Sequence, residues 1–187
     1  DSVYKNNHLS IAYHAHFSFY ISGISRRLSH ELLRHYIGVG ASEGSPSQMS
    51  TRYVVHPPRF VVHPRYLEIE QSDLADMSAM EMSDYRDGRI DEYTEFKRSC
   101  KSAYRHYSKL MRSAEGLKGL AKKRVLEAAA STLPQSVETS LIFTMNPISA
   151  RKLILERTGE TADLEFNRLA VKIRDILEDR YKAFSFR

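Results

Sequence analysis

The sequence predicts an α/β or α+β fold in which helices predominate. Residues 14–21 alternate between apolar and polar side chains, as strands do, whereas residues 84–111 and 161–181 carry apolar side chains at helical spacing. Of the 187 residues, 42% are hydrophobic, which is enough for one substantial core. We therefore expect a single domain spanning residues 1–187. Because the chain starts with Asp1 and no signal-type segment follows, we also expect it to be N-terminally incomplete.

The first predicted elements are a strand and a helix. Two sets of side chains face opposite sides of the strand: Ala15, Phe17, Phe19 and Ile21 against His14, His16, Ser18 and Tyr20. We expect Gly23 to end this strand. From residue 24 the spacing becomes helical, with an apolar and a charged face: Ile24, Leu28 and Leu32 against Arg27, Glu31 and Arg34.

A long loop and an extended segment come next. Residues 38–50 contain three glycines, four serines and one proline, a composition typical of loops. Residues 52–64 read RYVVHPPRFVVHP, two near-copies of an extended segment at seven-residue spacing that each close with proline. His56 and His63 precede these prolines, and we expect both to be surface histidines.

Two helices are predicted in the middle of the chain. The first, over residues 84–111, carries an apolar stripe formed by Tyr93, Phe96, Cys100, Tyr104, Tyr107 and Met111. This stripe predicts helix packing and makes Cys100 a core thiol rather than a nucleophile. The second helix covers residues 117–130 and stops before Leu133 and Pro134.

The C-terminal part is predicted to be a strand followed by two helices. Residues 137–144 are rich in Thr, Ile and Phe and favour a strand. Asn146 and Pro147 then supply an N-cap and a first-turn proline for a helix to Arg157, which Gly159 ends. The last helix, over residues 161–181, presents one apolar face: Phe166, Leu169, Ala170, Ile173, Ile176 and Leu177.

Composition and charge narrow the classes of function. Lys and Arg exceed Asp and Glu by 28 to 23, and this surplus is spread along the chain, which favours a phosphate-bearing small molecule over nucleic acid. The single cysteine excludes an internal disulfide. No apolar stretch approaches the roughly 18 residues that a membrane span needs, so we expect a cytoplasmic protein without membrane contact. His14 and His16 share a strand face but have no third ligand at suitable spacing, and we expect no metal.

Residues 31–53, ELLRHYIGVGASEGSPSQMSTRY, are the most informative stretch. A charged helix end is followed by a flexible loop with many hydroxyls and backbone amides, and then by Ser50 and Arg52. These ingredients suit an anion-binding site. On these residues alone, a solvated helix end followed by a surface loop is the more common explanation. Ser50 lacks the Gly-x-Ser-x-Gly setting of a nucleophile, which favours a hydrogen-bonding role.

This stretch resembles the signature of the flavin-dependent thymidylate synthases, an Arg-His-Arg triplet at a helix end, a loop and then Ser-x-Arg. Arg34 and His35 match the first two members of the triplet, and SQMSTRY matches the downstream half. Tyr36 stands in place of the third member, and the loop is longer than the family pattern.

A second region resembles the same family. Its pattern of Leu-Pro, a strand, Thr-x-Asn, a helix and an arginine is similar in order and spacing to Leu133, Pro134, Thr144, Asn146 and Arg157. His14 and the FSF after it resemble the family's Glu-His segment, with Tyr13 in place of glutamate. Ala130 stands where the family usually has an arginine, and Thr161 where it has a histidine.

The resemblance implies a mixed sheet flanked by long helices and a homotetramer with active sites shared between subunits. The implied reaction is reductive methylation of carbon 5 of a uracil nucleotide, dUMP to dTMP or UMP to 5-methyl-UMP. FAD would be the cofactor, with methylenetetrahydrofolate and NADPH as co-substrates. Because of the departures at Tyr36, Ala130 and the loop, UMP methylation in a specialised pathway such as nucleoside-antibiotic assembly stays open.

The resemblance also implies roles for individual residues. Arg157 and Arg34 would be catalytic, since a cation near the pyrimidine oxygens stabilises the charge that develops on the ring. The nucleotide-binding set is Glu31, Arg34, Gln48, Ser50, Arg52 and Arg157. The flavin-binding set is His14, Arg34, His35, Ser47 and Asn146. The alternative from another class is a non-catalytic, basic nucleotide- or RNA-binding module.

Overall fold

A computed structural model describes residues 12, 14–36, 46–68 and 75–181. Within these residues lie five α-helices and three β-strands. The strands are β1 Phe17–Ser25, β2 Ser47–Gln48 and β3 Glu138–Met145. The helices are α1 Arg26–Leu33, α2 Ala79–Arg112, α3 Gly119–Ala130, α4 Pro147–Arg157 and α5 Leu164–Arg180. The contacts divide the chain into two compact units, one of residues 1–48 and 139–187 and one of residues 49–138.

The first unit contains a three-stranded sheet in the order β1-β3-β2. Ser47 lies opposite Ile142 and Gln48 opposite Leu141 in antiparallel register. The predicted alternation in β1 is confirmed, because Phe17 is buried and Tyr20 is exposed. Helices and strands thus combine as predicted, but the small sheet is antiparallel and not the mixed sheet that the resemblance implied.

The core of the first unit joins both longer strands to three helices. β1, β3, α1, α4 and α5 all contribute to one buried cluster: Phe17, Ile21, Ile24, Leu28, Leu32, Leu141, Phe143, Met145, Ala150, Leu153, Ile154, Phe166, Ala170, Ile173 and Leu177. Burying each large apolar side chain contributes about 1.5 to 3 kcal/mol to folding. The apolar face predicted for the last helix therefore lies in this core, except Ile176, which is exposed.

The junction of β1 and α1 differs from the prediction. β1 passes through Gly23, whose φ of 70° is accessible to glycine, and continues to Ser25. Ser25 is the N-cap of α1, where its Oγ accepts a hydrogen bond from the Leu28 amide at 3.0 Å. The strand therefore ends at this cap and not at the glycine.

A buried carboxylate connects the starts of α1 and α5. Glu165 accepts hydrogen bonds from the Ser25 amide at 2.8 Å and from the Ser25 hydroxyl at 2.6 Å. Arg27 donates to Asp163 at 2.6 Å, and Asp163 caps α5 by accepting from the Phe166 amide. The capping by Asp163 explains why α5 starts at Leu164, later than predicted.

In the second unit, α2 starts earlier than the predicted residue 84. Ser78 and Glu81 form a capping box, in which the Glu81 carboxylate accepts from the Ser78 amide at 2.8 Å. The predicted apolar stripe of this helix is confirmed, since Cys100 and Tyr107 are buried. Despite its length, α2 is too polar to cross a bilayer, and no helix in the described ranges meets that requirement.

The extended segment predicted at residues 52–64 forms no regular strand. Residues 51–53 form a turn, and the segment pairs only through an isolated antiparallel bridge between Phe60 and Val137. The prediction of a surface His56 is wrong, because its exposed fraction is 0%. Its amide donates to the Tyr107 hydroxyl at 3.1 Å, and its carbonyl accepts from the Tyr104 hydroxyl at 3.3 Å. The α2 stripe therefore holds this segment by its backbone.

Candidate functional site

The candidate site of the first unit lies where α1 and α4 end. A short 3₁₀ segment, Arg34–Tyr36, follows α1 directly and packs against α4. Arg157 is the last residue of α4, and the Thr158 hydroxyl then donates to the Ile154 carbonyl at 2.8 Å. A cation at this position interacts favourably with the carbonyl end of the helix. The helix-end part of the predicted signature, with Arg34 and His35, therefore meets the arginine of the second matching region here.

Arg157 contacts three side chains in this cluster. Its Nε donates a 2.9 Å hydrogen bond to His35 Nε2, and its Nη2 lies 3.5 Å from Glu31 Oε2. Its Cζ lies 4.7 Å from the centroid of the Phe166 ring, which is a cation–π contact. The side chain is 23% exposed, so the guanidinium is held in a defined orientation and still reaches solvent.

His35 is packed between these groups. Its side chain is only 6% exposed, its Nδ1 lies 3.5 Å from Glu156 Oε2, and its ring meets the Phe166 ring edge-on at 5.3 Å. Because Nε2 accepts from Arg157, the neutral ring carries its proton on Nδ1, facing Glu156. Burial, followed by the positive charge of Arg157, lowers the pKa of His35, while the Glu156 carboxylate acts in the opposite direction. His35 is therefore a neutral acceptor at pH 7.

Glu31 connects the two predicted catalytic arginines. Its Oε2 lies 3.6 Å from Arg34 Nη1 and 3.5 Å from Arg157 Nη2. The Arg34 side chain is 74% exposed. Two guanidiniums around one carboxylate leave a net positive charge, which suits pyrimidine oxygens or another anionic group.

The other predicted residues of the first unit have separate positions. Gln48 donates to the Ser29 hydroxyl at 2.6 Å and lies 3.4 Å from the Thr139 hydroxyl. Asn146 is the predicted N-cap of α4, and its side chain accepts from the Ser149 amide at 2.8 Å. Ser47 and His14 are exposed.

Ser50 and Arg52, the remaining predicted nucleotide ligands, belong to the second unit. The Ser50 hydroxyl accepts from the Arg52 amide at 3.2 Å, and Arg52 Nε lies 2.5 Å from Glu127 Oε1. The Tyr53 ring lies 5.0 Å from Lys123 Nζ. A hydrogen bond from Lys123 lowers the pKa of the Tyr53 hydroxyl. This part of the unit is an exposed cationic surface with one carboxylate on it.

Three residues that contact predicted site residues were not themselves predicted to have a role. Phe166 was predicted only as a core residue, and nothing in the sequence indicated that its ring would lie under Arg157. Glu156 is adjacent to Arg157 in the chain, which is the one local signal for its contact with His35. Glu127 carried no signal, because its pairing with Arg52 spans 75 residues.

A cavity of about 350 Å³ lies elsewhere in the second unit, against the α2 stripe. It is lined by Pro58, Phe60, Val62, Phe96, Lys97, Cys100, Lys101 and Tyr104. None of the predicted site residues lines it, and we assign no role in the proposed reaction to it. Within the ranges that the structure describes, no group of three or more His, Cys, Asp or Glu side chains could hold a metal ion.

Comparison with known proteins shows extensive similarity to one group. The family model described as thymidylate synthase complementing protein matches residues 1–181. The chain is 36% identical over 176 residues to the flavin-dependent thymidylate synthase of Mycobacterium sp. (strain JLS), covering 90% of this chain and 61% of that protein. The protein of the same name from Mycolicibacterium gilvum is 35% identical over 165 residues, covering 88% of this chain and 58% of that protein. The chain thus spans less than two thirds of the length of these relatives.

Proposed function

We propose, since this chain belongs to the thymidylate synthase complementing protein family, that it carries out flavin-dependent methylation of carbon 5 of a uracil nucleotide. The names of its relatives, flavin-dependent thymidylate synthases, support this activity. The observation that carries the proposal is the cluster of Glu31, Arg34, His35 and Arg157. These residues come from both segments of the family pattern, and Arg157 lies 2.9 Å from His35 across 122 residues of sequence.

Arg157 is proposed to act on the pyrimidine ring. Carbon 5 of uracil attacks a one-carbon donor when electron density is pushed into the ring, and negative charge then develops at the ring oxygens. A guanidinium already oriented by His35, Glu31 and Phe166 stabilises this charge without having to reorganise. Arg34, which is more exposed, supplies a second positive charge at the same carboxylate. The proposed one-carbon donor is methylenetetrahydrofolate.

Ser50 and Arg52 are proposed to bind the phosphate of the nucleotide. The Arg52 guanidinium is half exposed, and the Ser50 hydroxyl lies next to its backbone. Charge-assisted hydrogen bonds from a guanidinium are well suited to a dianionic phosphate. Gln48 is proposed to hold β2 in place, because its side-chain amide donates to the hydroxyls of Ser29 and Thr139.

The side chains proposed to bind FAD fit this cofactor in part. Arg34, Ser47 and His14 present exposed hydrogen-bonding groups, which suit the phosphates and the polar ring edge of a flavin. The polar atoms of His35 and Asn146 already contact Arg157, Glu156 and the Ser149 amide. We therefore propose that Arg34, Ser47 and His14 make the direct contacts. When bound and reduced by NADPH, the flavin supplies the hydride of the methylation.

UMP is the second candidate substrate. Ala130, the last residue of α3, stands where the family usually has an arginine, and its methyl group offers no hydrogen bond to a nucleotide. Without an arginine at this position, the sugar and phosphate of the nucleotide would be held differently. For this reason we propose a ribonucleotide as the alternative substrate. The family resemblance also leads us to propose a homotetramer, which sedimentation of the purified protein would test.

The decisive experiment combines the absorbance spectrum of the purified protein with tritium release from 5-tritiated dUMP and UMP. We expect a yellow protein that releases tritium only when methylenetetrahydrofolate and NADPH are present. Preferential release from one of the nucleotides identifies the substrate. A colourless protein that is inert toward both, yet binds RNA in a strongly salt-dependent way, would instead indicate the non-catalytic binding module.

A further inference from the structure

Of the three side chains that contact the Arg157 guanidinium, His35 and Phe166 hold different parts of it, one an edge and the other a face. The hydrogen bond from its Nε to His35 Nε2, 2.9 Å long, sets the direction of one edge of the planar group. The Phe166 ring, 4.7 Å from Cζ, lies against one face and sets the plane. Because one edge and one face of the planar group are held, the direction of its Nη groups is fixed.

His35 is itself held in place for this role. Its ring packs edge-on against the same Phe166 ring at an interplanar angle of 90°, and it is almost completely buried. Its Nδ1 faces Glu156, which favours the tautomer with the proton on Nδ1 and a lone pair on Nε2. Only this tautomer can accept from Arg157, because a protonated imidazole has no lone pair to offer.

We propose that His35 is a positioning residue that orients Arg157 toward the pyrimidine, and that it does so as a neutral hydrogen-bond acceptor. This inference rests on the proposed function, since it takes Arg157 as the residue that faces the uracil ring. It differs from the role that the family resemblance implied for His35, which was direct contact with the flavin. In the structure Nε2 accepts from Arg157 and Nδ1 lies 3.5 Å from Glu156 Oε2, so both nitrogens of the imidazole face protein groups.

Three substitutions separate positioning from mere packing. The side-chain oxygen of His35→Gln reaches the position of Nε2 and can accept from Arg157, whereas His35→Asn places its amide only near Nδ1. His35→Leu removes both. We expect His35→Leu and His35→Asn to lower kcat on the order of 10²-fold, because a misplacement of about 1 Å has an effect of that size. His35→Gln should restore most of the loss, and the affinity for FAD should stay within about threefold in all three variants.

A second measurement does not depend on activity. In ¹⁵N-resolved NMR spectra, the Arg157 Nε–H signal, identified by its loss in Arg157→Lys, should be protected from exchange in the wild-type protein and in His35→Gln. It should exchange rapidly in His35→Leu and His35→Asn. The ¹⁵N shifts of His35 in the wild-type protein should show a protonated Nδ1 and an unprotonated Nε2, which tests the proposal without any substitution.

Three results would overturn the positioning role. They are the opposite His35 tautomer, an Arg157 Nε–H signal that is indifferent to residue 35, and a loss of FAD affinity in His35→Leu that equals its loss of turnover. Failure of the proposed function has a different signature. In that case the expected NMR behaviour persists, while the protein shows no flavin absorbance and no turnover of dUMP or UMP.

Discussion

Arg52 and Glu127 form a close ion pair, with 2.5 Å between Arg52 Nε and Glu127 Oε1. A nucleotide phosphate that binds Arg52 must share or displace this carboxylate. Both side chains are more than one third exposed, so the pair itself contributes little to stability. If Arg52 binds the phosphate as proposed, the effect of the pair is expected in ligand binding, where Glu127 would compete with the phosphate.

Replacing Glu127 by Gln should tighten the binding of dUMP. Removing an exposed carboxylate partner relieves a competition of about 0.2 to 1 kcal/mol, which corresponds to a decrease in Kd of about 1.4- to 5-fold. Isothermal titration calorimetry at low salt measures this effect. Glu138→Gln is the matched control, because Glu138 pairs with Arg59 in the same unit at 3.7 Å and should leave Kd unchanged. Weaker binding in Glu127→Gln would mean that this carboxylate assists the ligand.

Replacing Arg52 by Ala should weaken nucleotide binding by about 1.5 to 3 kcal/mol, the usual loss for a charge-assisted hydrogen bond to phosphate. The matched control is Arg59→Ala, which removes an exposed arginine with a similar carboxylate partner. The Kd of dUMP by calorimetry, measured for both variants, decides the matter. An equal Kd for Arg52→Ala and the wild-type protein would exclude Arg52 from phosphate binding.

Acid should destabilise the folded protein through His35. Its folded-state pKa lies below the ordinary value of 6.5, because burial and Arg157 disfavour the charged ring. Well above this value His35 is neutral in both states. As the pH falls below 6.5, the unfolded chain takes up a proton that the folded protein does not, so stability decreases until the folded pKa is passed.

Urea unfolding from about pH 7.5 to about pH 5 measures this dependence. The free energy of unfolding should decline less steeply in His35→Gln than in the wild-type protein. His14→Gln, which removes an exposed histidine, serves as the control. Identical slopes for all three proteins would show that His35 titrates alike in the folded and unfolded states.

Replacing Glu165 by Ala should lower the free energy of unfolding by about 1.5 to 3 kcal/mol, the range for hydrogen bonds to a charged group. The reason is that the buried amide and hydroxyl of Ser25 lose their acceptor and the link between α1 and α5 is broken. Chemical denaturation measures the loss. Glu160→Ala, at an exposed position before α5, should change stability by less than about 0.5 kcal/mol. A loss of less than about 0.5 kcal/mol in Glu165→Ala would show that water replaces the carboxylate as the acceptor for Ser25.

Local patterns predicted much of the secondary structure. Asn146 and Pro147 are a cap and a first-turn residue in adjacent positions, and α4 has the predicted bounds. The stripe of α2 followed from periodicity alone. The capping box of Ser78 and Glu81 was also written in the sequence as a Ser-x-x-Glu pattern, and using it would have placed the start of α2 correctly.

Other features had no local signal. The two His-Pro segments look alike in sequence, but His56 is fully buried because Tyr104 and Tyr107 of α2 bond its backbone. The pairing of residues 59–61 with residues 136–138 is limited to a bridge, although both segments were predicted to be extended. In both cases a partner distant in sequence decided the outcome.

The sequence by itself determined the family and the order and type of most elements, and it proposed the arginines of the candidate site. These depend on backbone periodicity, short-range caps and motif spacing, all of which act within a few residues of the chain. Only the tertiary structure decided that His35 accepts a hydrogen bond from Arg157 and that the Phe166 ring packs against its guanidinium. The same holds for the ion pair between Glu127 and Arg52. Such contacts depend on how helices from separate segments pack, because side-chain direction and burial are set by the partner and not by the residue's own neighbours in sequence.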